Sequence, residues 1–72
     1  MNDYSLRIVS SKVLVVRLNP GAKSPELGRL HYGAAVELVE KSGHFALIKW
    51  RHGESKVELQ GWVFARYLSK FK

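Results

Sequence analysis

The sequence predicts an all-β fold, a small closed barrel of five to six short strands, and three observations carry that prediction. Apolar residues recur at period two through most of the chain, no stretch of ten residues repeats them at three-to-four spacing, and Gly or Pro breaks the alternation at intervals. Strands this short bury their apolar faces only by curling into a barrel or sandwich, which also limits exposed edges.

Tyr4-Ser5-Leu6-Arg7-Ile8-Val9 alternates and Val13-Leu14-Val15-Val16-Arg17-Leu18 is rich in β-branched residues, so both read as strands, with Ser10-Ser11-Lys12 as the bend between them. Asn19-Pro20-Gly21 is a turn, because Pro presets one backbone angle and Gly accepts a positive one; Lys23-Ser24-Pro25 extends it into an exposed loop over residues 19–26. Gly28-Arg29-Leu30 is a short segment before the Tyr32-Gly33 turn. Ala35-Val36-Glu37-Leu38-Val39-Glu40 resumes alternation, and Lys41-Ser42-Gly43-His44 turns it into Phe45-Ala46-Leu47-Ile48-Lys49-Trp50. A polar loop over residues 51–56 leads to Val57-Glu58-Leu59-Gln60-Gly61-Trp62-Val63, and Phe64-Ala65-Arg66-Tyr67-Leu68 makes a tight turn into a short last strand.

Seventy-two residues hold one domain, with its core over about residues 4–68. The chain has no cysteine, so apolar contacts alone must stabilise that core. Hydrophobic residues make up 46% of the chain and charged residues 25%, the balance of an ordinary globular domain rather than a disordered segment. The opening residues lack the apolar run of a secretory signal or a membrane span, which with the missing cysteines leads us to expect a cytoplasmic protein that does not insert into membranes. Twelve Lys and Arg against 6 Asp and Glu give a net charge of +6, which biases the surface toward anionic partners.

Catalytic chemistry lacks its usual constellations. His31, His44 and His52 lie far apart near turns, with no carboxylate or imidazole at ligand spacing, so no metal site or other cofactor is expected. Asp3 sits at a terminus prone to fraying, and Glu37 and Glu40 stand three apart on a strand, which places them on opposite faces. The six glycines fall one to a turn or strand entry and form no phosphate cradle. The chain is therefore read as a binding protein and not as an enzyme.

Three segments resemble the bacterial SH3-like domain family across about residues 4–68, and so imply an SH3-like barrel. Leu14-Val15-Val16-Arg17 with Pro20-Gly21 looks like the family's opening Leu-Asn-Val-Arg and Gly-Pro, with Val15 for Asn and the last pair inverted. Gly28-Arg29-Leu30, Gly33 and Val36-Glu37-Leu38 look like its central run. Gly61-Trp62-Val63-Phe64-Ala65-Arg66-Tyr67-Leu68 resembles its Gly-Trp-Val and Tyr-Leu ending, and Phe45 follows the hairpin Gly43-His44 as the family's aromatic does. The resemblance implies a modular domain that binds a protein partner or cell-wall peptidoglycan.

The candidate ligand-binding residues are Tyr32, Trp50, Arg51, Trp62, Arg66 and Tyr67. Trp62 has the opposite parity to Val57, Leu59 and Val63, so if those three fill the barrel it stands outside, as a binding anchor or a cap on the mouth. Ala46, Ile48 and Trp50 are expected at least partly inside. The leading reading is a groove framed by loops 19–26 and 51–56 and the Trp62/Tyr67 segment, holding an acidic protein or peptide. An alternative is nucleic acid, bound by Lys49, Arg51, Lys56, Arg66, Lys70 and Lys72 converging near Trp50 and Tyr67. Peptidoglycan is the third.

Overall fold

A computed structural model describes residues 5–51 and 57–70. Its strands are β1 (Leu6–Val9), β2 (Val13–Arg17), β3 (Glu26–His31), β4 (Ala35–Ser42), β5 (Phe45–Arg51), β6 (Glu58–Phe64) and β7 (Leu68–Lys70), with a single 3₁₀ turn at Ala65–Tyr67. All pairings are antiparallel, in one sheet of order β3-β2-β6-β5-β4-β1-β7. The all-β barrel read from the alternation is thus present, with seven strands in place of five to six. The added count comes from short segments that find full partners: β3 pairs along the whole of β2, and β7 lies along β1. No helix among the described residues is long and apolar enough to cross a membrane.

One alternating set fills the interior. Val9, Leu14, Val16, Leu30, Val36, Ala46, Ile48 and Val63 are buried, with Leu38, Trp50, Tyr67 and Leu68 packed partly against them. Each fully buried Val or Ile contributes about 1.5–3 kcal/mol relative to an exposed one. The expected placing of Ala46, Ile48 and Trp50 holds: the first two are buried and the third half-buried. The expectation for β6 is corrected. Val63 is in the core, but Leu59 is 38% exposed and Val57 63%, because only the second half of β6, through Gly61 and Val63, crosses the interior.

The chain stays in phase with this core through two β-bulges, each an extra residue on one strand. On β3, Glu26 pairs with Arg17 and Gly28 with Val16, so Leu27 has no partner. On β4, Leu38 pairs with Ile48 and Glu40 with Leu47, so Val39 is the extra residue. The second bulge overturns the expectation that Glu37 and Glu40 face opposite ways. Their partners Lys49 and Leu47 are two apart on β5, so both glutamates lie on the outer face.

Candidate functional site

Tyr32 is put forward by the turn that carries it. The Ala34 amide donates to the His31 carbonyl at 3.0 Å, and Gly33 holds φ +89°, so residues 31–34 form a type II turn with Gly at the position that needs a positive angle. The Gly33 amide also donates to the Val9 carbonyl at 2.9 Å, which pins the turn to the end of β1. Tyr32 occupies the corner and is 74% exposed.

Trp50 and Arg51 reach the same place from the end of β5. Trp50 shares the inner face with Ala46 and Ile48 but lies past them, at the barrel mouth, opposite Leu59. It is the wall between two concavities. One, of about 500 Å³, is lined by Arg29, Leu30, His31, Tyr32, Gly33, Ala34, Ala35, Trp50 and Arg51. The other, of about 520 Å³, runs over Leu6, Glu37, Lys49, Arg51 and Glu58 beside Trp50. Their electrostatics differ. In the second, Glu37 and Glu58 offset Lys49 and Arg51, and Lys49 Nζ stands 3.8 Å from Glu58 Oε1. The first contains two arginines and a histidine among aromatic rings and no carboxylate.

Arg29 and His31 were not singled out as binding residues by the sequence reading. They are two apart on β3 and exposed, flanking the buried Leu30 just before the Tyr32 corner; that alternation was the available signal. Arg29 donates from Nε to Glu26 Oε2 at 2.7 Å, a contact made possible by the Leu27 bulge, which returns residues three apart to one face. This hydrogen bond holds the Glu26 carboxyl below its ordinary pKa and the Arg29 guanidinium above its own.

Of the six candidates, Tyr32, Trp50 and Arg51 come together, while Trp62, Arg66 and Tyr67 line neither of these concavities. Trp62 is half-buried on the outer face between Arg17 and Leu47. Phe64 stacks on Phe45 with centroids 4.4 Å apart and meets Tyr67 edge-on at 6.3 Å, and Arg66 lies 5.2 Å over the Tyr67 ring. Loop 19–26 is drawn back onto β2, where Arg17 Nη1 donates to the Ser24 carbonyl at 2.8 Å. Lys49 and Arg51 line the mouth at Trp50, whereas Lys70 lines a separate concavity, so the basic groups do not converge on one spot. Lys56, Lys72 and most of loop 51–56 lie outside the described residues.

Among the described residues, no three His, Asp or Glu side chains group as metal ligands. A family model for the bacterial SH3 domain matches residues 12–69. No curated protein and no solved structure matches the chain significantly.

Proposed function

The chain belongs to the bacterial SH3 domain family, and from that membership we propose that it is a non-catalytic module binding an acidic protein or peptide segment at the Tyr32/Trp50/Arg51 mouth. The observation that carries this reading is the composition of the 500 Å³ concavity: an exposed Tyr, a Trp and three basic-type side chains with no acid among its lining residues. Aromatic anchors supply contact area at low conformational cost, and an arginine fork fits a carboxylate with two parallel hydrogen bonds. This places the proposed groove away from Trp62 and Tyr67, whose rings pack against their neighbours in the barrel wall.

The test is a titration of the ¹⁵N-labelled chain with a Glu-rich peptide carrying one aromatic residue. Amide and indole shifts should centre on residues 29–35, Trp50 and Arg51, and Tyr32→Ala or Arg51→Ala should weaken binding about tenfold. Shifts centred on Trp62 and Tyr67 would remove the proposed site. The same interleaving of aromatic and basic groups also favours a second reading, single-stranded nucleic acid; an oligonucleotide bound more tightly than the peptide, with steep salt dependence, would replace the first. Co-sedimentation with purified peptidoglycan, lost in Trp50→Ala, would assign the wall.

A further inference from the structure

A third concavity lies at the other end of the barrel. Ala46 and Trp50 flank the fully buried Ile48 on the inner face of β5, and Ala46 belongs to this second mouth as Trp50 belongs to the first. Its lining is Arg7, Lys41 and Lys70 over Leu38, Ala46, Ala65 and Leu68. We infer that it is a binding site for a single oxyanionic group, phosphate or carboxylate, separate from the Tyr32/Trp50 groove.

Three strands deliver the three cations. Arg7 on β1 is the direct register partner of Lys70 on β7. Lys41 arrives from β4 as the partner of Ala46, which puts it on the core-facing side. No carboxylate lines the concavity, and neither Lys41 nor Lys70 takes part in the ion pairs found among the described residues, Glu26–Arg29 and Lys49–Glu58. Like charges drawn together over an aliphatic floor repel one another, and a bound anion relieves that repulsion. Arg7 is already oriented, since its Nη1 donates to the Leu6 carbonyl at 2.9 Å. An oriented planar fork loses less entropy on meeting an oxyanion than a free one.

Size decides what fits. At about 190 Å³ the concavity is less than half the volume of either groove at the other mouth. It is also below the range of pockets that enclose drug-sized ligands, about 300–1,000 Å³. One phosphate or carboxylate group fits this space, and a folded peptide or nucleoside does not. Lys41, which completes the triad, was absent from the basic residues singled out in the sequence.

The experiment is a titration of the ¹⁵N-labelled chain with sodium phosphate and, separately, sodium acetate, at ionic strength held constant with chloride. Saturable shifts at Arg7, Leu38, Lys41, Ala65 and Lys70 are the expected result. Saturation by both anions assigns oxyanions in general, and saturation by one assigns that one. The double variant Lys41→Met, Lys70→Met removes two exposed side chains with no ion pair and should fold normally. It should lower the affinity about tenfold, the factor to which two exposed charge contacts amount together. Trp50→Ala should leave the titration unchanged. Non-saturating shifts spread equally over Arg29, Arg51 and Arg66, or a double variant that titrates like the parent, would overturn the inference.

Discussion

Strand β6 has two borders, and they are built differently. Toward β5 it runs in continuous register for seven pairs, from Phe45↔Phe64 to Arg51↔Glu58, with the Phe45–Phe64 stack and the Lys49–Glu58 contact on its outer face. Toward β2 a single register pair, Arg17↔Trp62, joins the strands. There the fit depends on an absent side chain. A Cβ on Gly61 would run into the Val16 side chain and stand 3.1 Å from the Arg17 carbonyl oxygen and 3.3 Å from Leu27 Cδ1. A border with many moderate contacts loses one of them at small cost, whereas one that closes on a single point has no slack there.

That contrast can be broken most sharply at Gly61. Gly61→Ala should destabilise the fold by about 2 kcal/mol, because Val16 is fully buried and the Arg17 carbonyl belongs to the backbone. Urea denaturation measures it, and adding Val16→Ala should recover part of the loss by vacating the space. An unchanged midpoint for Gly61→Ala would show that the seam is loose. On the β5 side, a double-mutant cycle on Phe45→Ala and Phe64→Ala should give a coupling of about 1 kcal/mol. A coupling near zero would reduce that border to its backbone ladder.

The smallest effect belongs to the β2–β3 side. The Arg29 hydrogen bond lowers the folded pKa of Glu26, so the pair's contribution is present above the ordinary glutamate value and lost as pH falls through the lowered one. Both side chains are exposed, which keeps the effect small. Comparing urea midpoints of the parent and Glu26→Gln from pH 6 to 3 should show a slightly larger acid-side loss in the parent. Identical pH profiles would mean that the bulge places Glu26 beside Arg29 without energetic consequence.

The architecture was legible because its signals are local. Gly33 and Gly43 take the positive φ that turn chemistry asks of them, +89° and +61°, and Leu14, Val16, Ala46 and Ile48 alternate into the core as written. Tyr32 and Arg51 were found because turns and strand ends project side chains. What was not legible is where alternation slips. The unpartnered Leu27 and Val39 are ordinary strand residues by composition, so parity counted across them assigns wrong faces to whatever follows, as it did for Glu37 and Glu40. Leu59 was misplaced for a related reason: alternation gives the side of a strand but not how far along it the core extends.

The bulge at Val39 also governs the chemistry of the second mouth. With unbroken alternation beyond Leu38, Glu40 would face the interior beside Arg7 and Lys70, and Lys41 would point to solvent. Such a mouth would hold its own counterion, a self-neutralised ion pair with little pull on an outside anion. One residue of extra strand length exchanges glutamate for lysine at that position. The polarity of the cavity is therefore set by a count of residues, and neighbouring sequences of identical composition but different phasing would present opposite signs there.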